Sequence, residues 1–424
     1  MRQLIWVLFV FCLYSTSCRK EENIDIKTDE NGVALSLPYI WQKSLHISGE
    51  FYSNGFFKFP IIYNDNIAIP TTGEDGSQYM TMVNTTNGET LWEWNDIFIG
   101  ISGDLEFFRH YISNNLLTWQ QGSRSYCINL EDGTTNWKKI RDRNFEPRLF
   151  SCNENCYYIT STITRNDGYD EHIVYKGDMD TGILTEFLRA NYSCEYIGPI
   201  TDNGWVGGII YINEVPLNSN LLLVTYAEPL PEWCVNSFFG LYNIQTQEWV
   251  YERKLLAPPL WNTSVFHTPI IYNDQVYANV GNNIVCHDLY TGEQLWRREF
   301  DNDFFFSGFI IEEDKIIANN ENKTLYCLDP ETGHSIWEGE GAGTSSRMSY
   351  LNGIVYFVGG SDGKFHAVDI ETGQTVWRLD AKKLEGSESL FKTNAVYVIP
   401  GENSEKGKVI ALTHMYAYCF EAYR

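Results

Sequence analysis

The chain has 424 residues, 43% of them hydrophobic and 15% aromatic, which is enough apolar material for a large core and excludes disorder as its main state. Against 31 Lys and Arg stand 55 Asp and Glu, a formal charge of −24, so phosphate backbones and anionic headgroups are repelled and nucleic acid is not an expected partner. The 13 Trp, 27 Tyr and 24 Phe, together with abundant Thr, Ile and Val, favour sheets over helical bundles, and the expected class is all-β.

The N-terminus reads as an address. Met1 and Arg2 precede the apolar run Leu4 to Leu13 and then Tyr14-Ser15-Thr16-Ser17-Cys18, the pattern of a secretory signal. As a helix the run spans about 15 Å, half of a ~30 Å hydrocarbon core, too short for a lasting membrane span. Small residues before Cys18 resemble a bacterial lipobox, which implies removal of 1–17, lipid on the Cys18 thiol and anchoring at the outer membrane. Arg19-Lys20-Glu21-Glu22 resembles the export signal of surface lipoproteins, so both periplasmic and surface-facing placements stay open. Residues 18–37 are polar, lack a hydrophobic period and read as a flexible tether to a domain over 38–424.

Repeats organise that domain. Met82-x-Asn84-x-x-Asn87-Gly88-x-x-x-Trp92 is followed by Cys127-x-Asn129-x-x-Asp132-Gly133-x-x-x-Trp137. A degraded copy, Asp178-x-x-Thr181-Gly182, reaches Phe187 one place late, and Asn243-x-x-Thr246 reaches Trp249 through a turn without Gly. Three close copies end at Trp296, Trp337 and Trp377, with Cys286, Cys327 and Ala367 at the small position and Gly292, Gly333 and Gly373 at the turn. Upstream, Pro60-Ile61-Ile62-Tyr63-Asn64-Asp65 is identical to Pro269-Ile270-Ile271-Tyr272-Asn273-Asp274. The anchors Trp92, Trp137, Phe187, Trp249, Trp296, Trp337 and Trp377 are spaced 45, 50, 62, 47, 41 and 40 residues apart, a period that suits one propeller blade per repeat. Four strands per blade is the natural count. Gly supplies positive φ between strands, Asp or Asn accepts bonds across the turn, and each Trp packs between blades.

Exposed edges require the ring to close. Tyr39-Ile40-Trp41-Gln42-Lys43 resembles a Trp-bearing last strand without its turn, and Gly407 to Thr413 resembles the strand before that turn. Joining them gives a composite eighth blade from the two termini. The alternative makes the tail Tyr416 to Tyr423 the missing strand and Trp41 an extra edge.

The recurring small residue, Asp, Thr-Gly and Trp resembles the tryptophan-docking repeat of the quinoprotein, or PQQ-like, β-propellers over about 40–424. That resemblance implies a single eight-bladed all-β propeller. The superfamily divides between dehydrogenases holding pyrroloquinoline quinone with calcium and non-catalytic propellers, among them the lipoprotein of the outer-membrane β-barrel assembly machinery. A lipidated propeller without added domains resembles the second group, which implies a monomeric scaffold for envelope protein partners that touches the membrane through its lipid alone. No enzyme activity, cofactor, catalytic residue or metal ligand is expected. Quinoprotein dehydrogenases typically carry an adjacent Cys pair beneath the cofactor, which this chain lacks. Two alternatives stay open: a surface lipoprotein that binds glycan or peptide, and a quinone-dependent dehydrogenase.

Other chemistry is thin. The eight His form no close ligand pair, Ser361-Asp362-Gly363 reads as a hairpin turn, and Arg165 to Glu171 reads as an exposed hairpin tip. Cys127, Cys286 and Cys327 read as buried free thiols. Cys152 and Cys156 flank Asn153-Glu154-Asn155 at a hairpin turn, so they form either a cross-hairpin disulfide after export or two packed thiols. The widest interval, 187–249, holds Val215-Pro216-Leu217 and Glu228 to Trp233. This stretch reads either as a partner surface near one mouth with Trp233 as an anchor, or as packed decoration of a degraded blade.

Overall fold

The computed structural model describes residues 26–46, 56–98, 106–107, 110–141, 145–151, 155–164, 170–191, 208–229, 235–257, 265, 267–304, 307–386, 389–402 and 406–424. The expected signal 1–17, Cys18, Cys152 and Trp233 lie outside the described residues.

Eight four-stranded antiparallel sheets succeed one another as the blades of a propeller. Blade 1 runs from Ile61–Tyr63 to Thr90–Trp94, and blade 2 from His110–Ser113 to Thr135–Ile140. Blade 3 spans Phe145–Ser151 to Leu184–Asn191, and blade 4 Gly208–Val215 to Glu248–Leu255. Blades 5, 6 and 7 end in the outer strands Gln294–Glu299, Ser335–Glu340 and Thr375–Asp380. First strands of successive blades approach one another, so they surround the axis and the fourth strands form the rim.

Local sequence dictates the hairpins. The duplicated Asn-Asp pairs carry φ of 46° and 58° at Asn64-Asp65, and of 48° and 58° at Asn273-Asp274. Two successive left-handed residues make the tight turn that matches strand twist, and Asn and Asp tolerate it. In the following turn of blade 5, Asp288 accepts from the Thr291 N–H at 2.7 Å and from the Thr291 hydroxyl at 2.9 Å, and Gly292 takes φ 68°. Blade cores lie between sheets: Tyr277, Ile284 and Cys286 of blade 5 cluster with Ile316, Ala318 and Leu328 of blade 6.

The blades are locked by one repeated contact. The indole N–H groups of Trp92, Trp137, Trp296 and Trp337 donate to the carbonyls of Leu130, Met179, Pro330 and Ile370 in the next blade, at 3.0, 2.7, 2.8 and 2.9 Å. Each acceptor stands three residues before a turn Gly over which the ring lies. A Cβ on Gly133, Gly333 or Gly373 would come within 2.6 Å of the indole, and one on Gly182 within 2.8 Å. These glycines are needed both for positive φ and for close approach.

Trp249 was expected to anchor blade 4, and Tyr251 takes that place. Gln247 stands four residues after Asn243, at the position of the turn Gly, and holds φ 56°. The register then pairs Leu241 with Tyr251 as Cys286 pairs with Trp296. The Tyr251 hydroxyl donates to the Leu289 carbonyl at 2.7 Å, while Trp249 packs edge-on against Tyr242. At the previous junction Phe187 packs edge-on against Tyr242.

The same lock closes the ring. Blade 8 comprises Tyr397–Ile399, Lys408–Leu412, Tyr416–Glu421 and, from the N-terminus, Trp41–Ser44. The closing blade does draw on both termini, but Tyr416–Glu421, and not Gly407 to Thr413, is the third strand that pairs with Trp41–Ser44; Lys408–Leu412 is the second, and Trp41–Ser44 is the regular fourth strand and not an extra edge. Trp41 pairs with Cys419, as Trp296 does with Cys286, and donates to the Thr85 carbonyl of blade 1 at 2.9 Å. Blade 8 has no continuous turn between its last two strands, and Trp377 instead packs near Phe420 and Tyr423 while Arg424 bonds the turn residue Asp369.

The expected tether is shorter than 18–37. Lys27–Thr28 folds back on Ala34–Ser36, which adds in parallel to the outer edge of blade 7 with Ala34 opposite Trp377. Val33 and Ala34 are buried there, and their apolar area outweighs the polar composition of the flanking residues. The widest repeat interval likewise contains blade strands: Val215-Pro216-Leu217 sits at the hairpin between Gly208–Val215 and Asn218–Pro229.

Two outcomes follow from this packing. Tyr251→Phe should lower stability in urea by about 1 kcal/mol, and Trp249→Phe should change it less, whereas Trp337→Ala should cost about 3–5 kcal/mol through cavity and lost burial. His110, where blade 2 begins, has its pKa lowered from 6.5 to about 4 by burial, with the Pro60 carbonyl opposing. The unfolded chain therefore takes up a proton below about pH 6.5 that the folded chain refuses. Thermal melts of wild type should lose stability as pH falls from 6.5 toward 4, and His110→Asn should flatten that dependence.

Candidate interaction surfaces

The motif carboxylates are occupied by the turns that contain them. Asp178, Asp329 and Asp369 each accept from the N–H and hydroxyl of a Thr three residues on. Bonds from Thr181, hydroxyl first and then backbone, hold the Asp178 carboxyl below the usual carboxylate range. Among the described residues no three His, Cys, Asp or Glu side chains gather into a metal-binding group. His287 lies between the carbonyls of Leu256 and Gly292, its ring nitrogens 3.1 and 3.3 Å from them with one N–H to donate, and His366 bonds Asp362 at 3.0 Å, beside the Ser361 to Gly363 turn. Both rings serve packing.

Cys127, Cys286, Cys327 and Cys419 are buried free thiols, and burial pushes each up to about 12. At neutral pH they stay protonated and unreactive. Cys419 completes this set at the same strand position as Cys286 and Cys327. Cys156 is disulfide-bonded. The register pairs Ser151 with Tyr157, the residue after Cys156.

What remains open lies at the mouth, on the tall blades and along the rim. A cavity of ≈ 230 Å³ is lined by residues that lead into the first strands of blades 1, 5, 6, 7 and 8, including Phe59, His267, Phe309, Arg347 and Val396. Convergence of five blades places it at one mouth of the axis. The Arg347 guanidinium lies 5.3 Å from the centre of the Phe59 ring, a cation–π contact. Gly308 leaves room beside it, because a Cβ there would meet Arg347 at 2.6 Å and His267 at 2.8 Å. Blades 3 and 4 carry the longest hairpins: Cys156–Thr164 with Asp170–Asp178, and Asn218–Pro229 with Val235–Asn243. Thr164 pairs with Asp170, so the stretch read as a hairpin tip connects these two strands. The segment ending at Trp233 connects the second pair. The widest repeat interval pointed to the blade 4 hairpin, but the mouth cavity was not found through the repeat period, because strand entrances are where the repeat varies.

Comparison with known proteins gives a consistent result. The model of the outer membrane protein assembly factor BamB family matches residues 252–339 and 280–414. The assembly factor BamB of Kangiella koreensis is 24% identical over 156 residues, 34% of this chain and 38% of that relative, so the match spans well under half of either protein. Among solved structures, the quinohemoprotein alcohol dehydrogenase ADHIIG of Pseudomonas putida HK5 superposes with TM-score 0.59 and 11% identity, covering 91% of this chain and 76% of that one. Sqt1 of Saccharomyces cerevisiae superposes with TM-score 0.56 and 9% identity, covering 90% and 99%. At such identities the superpositions speak for the fold alone. The chain is thus an eight-bladed propeller built of PQQ-like repeats, and through its C-terminal repeats it is similar to the BamB assembly factors.

Proposed function

We propose that this protein is a non-catalytic envelope lipoprotein, anchored at the outer membrane through Cys18, whose propeller is a scaffold for protein partners in outer-membrane protein assembly. One observation carries the reading. The element shared with the assembly-factor family is spent inside the ring, its Asp and Thr on the turn and its indole N–H on the next blade. The polar groups that a dehydrogenase reading would draw on at those positions are engaged, and the surfaces left over are rims and loops. Among the described residues no helix is long and apolar enough to cross a membrane; the lipobox-like segment ending at Cys18 supports attachment through a lipid. Cys152 and Cys156, four residues apart in sequence, pair as a disulfide after export, and Trp233, in the segment between Asn218–Pro229 and Val235–Asn243, is the aromatic anchor of a partner surface. The mouth cavity, with Phe59, Phe309 and Arg347, supports a second reading as a surface lipoprotein that captures peptide or glycan.

Affinity capture with the full-length chain from intact envelopes tests the first reading. Co-purification of outer-membrane assembly proteins is expected, and Cys18→Ser should move the chain from the membrane to the soluble fraction. Capture of glycan or short peptide alone would favour the second reading. Dye reduction by purified protein given pyrroloquinoline quinone and calcium would overturn both.

A further inference from the structure

The outer strand of each regular blade carries a bulge immediately before its docking residue. In blade 5, Cys286 pairs with Trp296 and His287 with Gln294, so Leu295 is the extra residue. In blade 6 it is Ile336, in blade 1 Leu91, in blade 4 Val250 and in blade 7 Val376. A bulge leaves its extra residue out of the ladder and turns it from the pairing pattern. In blade 2 the extra residue is Asn136, which bonds the Asp180 carbonyl, but in blades 1, 4, 5 and 6 it is aliphatic and stands in water: Leu91, Val250, Leu295 and Ile336 are 49, 52, 50 and 50% exposed. Solvated aliphatics recurring at one repeat position are a feature of the rim, not scattered surface residues.

Blade 7 shows what such an edge accepts. There Ala34–Ser36 lies parallel to the outer strand with Ala34 opposite Trp377, and Val376 is partly buried against the cluster that includes Ala34. The occupant is a short uncharged segment, Val33-Ala34-Leu35-Ser36-Leu37, with a small residue paired opposite Trp377 and aliphatic neighbours. The outer strands of blades 5 and 6, Gln294–Glu299 and Ser335–Glu340, have the same six-residue length and bulge as Thr375–Asp380 of blade 7. No further strand is paired to them among the described residues.

We propose that the outer edges of blades 5 and 6 bind an extended segment of a partner polypeptide by strand addition, in parallel, with a small residue facing Trp296 or Trp337 and an aliphatic residue covering Leu295 or Ile336. Main-chain bonds supply affinity and the apolar bulge selects the side chains. Two adjacent edges of one kind also offer a bivalent site to a partner with two extended segments. This deepens the scaffold reading and rests on it for the identity of the partner, but not for the binding itself.

The test uses the full-length chain and a fluorescent synthetic peptide of residues 32–38, followed by anisotropy. Saturable binding is expected, weakened about tenfold or more by Leu295→Lys with Ile336→Lys. Ile140→Lys, at a rim residue 70% exposed but outside the bulge position, should leave it unchanged, and matching melting curves keep the comparison between folded chains. Absence of saturable binding, equal weakening by Ile140→Lys, or loss only with Val376→Lys, which would mean that the peptide merely exchanges with the chain's own strand, would each overturn the proposal. Envelope capture can fail while this binding holds, so the two readings fail separately.

Discussion

The structure depends on an aromatic group from one blade reaching the backbone of the next across a residue without a side chain. An indole N–H meets a carbonyl three residues before a turn glycine, and the ring covers that glycine closely enough to exclude a Cβ. The contact joins three requirements at one point. Positive φ closes the turn, the missing side chain admits the ring, and the carbonyl left outside the strand ladder gains a donor. Because the contact is directional and passes from blades 1, 2, 4, 5, 6 and 8 to their successors, with ring packing in its place after blades 3 and 7, neighbouring blades hold a fixed relation, and a chain of sheets becomes a ring.

Closure follows from the same contact and not from a separate device. Trp41 does for blade 8 what Trp296 does for blade 5, though its strand partner Cys419 lies at the other end of the chain. The N-terminal segment also reaches the outer edge of blade 7, so residues 34–44 are held to two blades. Blades 7 and 8 are thereby engaged by the chain's own N-terminal residues, and the tall hairpins of blades 3 and 4 stand elsewhere on the ring.

The fold was legible where the repeat is regular. Asp288, Thr291, Gly292 and Trp296 define a turn, a left-handed residue and a dock at fixed spacing, and the folded chain has all three. Legibility failed where chemistry was conserved in conformation but not in residue type. Gln247 adopts the glycine's φ, and a hydroxyl replaces the indole N–H at Tyr251, so the nearby Trp249 drew the assignment. Counting four residues from Asn243 to Gln247 and four more to Tyr251 would have found it. Val33 and Ala34 were missed because a two- or three-residue edge strand has no period to detect, and its stability comes from the edge it joins. Rims and mouths were the least legible, since they are assembled from residues far apart in sequence, such as Phe59 and Arg347.

Native-state hydrogen exchange on the full chain, comparing wild type with Trp41→Gly, tests the closed ring most directly. Faster exchange is predicted at Thr85 to Gly88 in blade 1 and across Tyr416–Glu421 in blade 8, remote from residue 41 in sequence but joined to it through the lock. A change confined to the residues flanking position 41 would contradict the account, because the termini would then lie beside the ring without closing it.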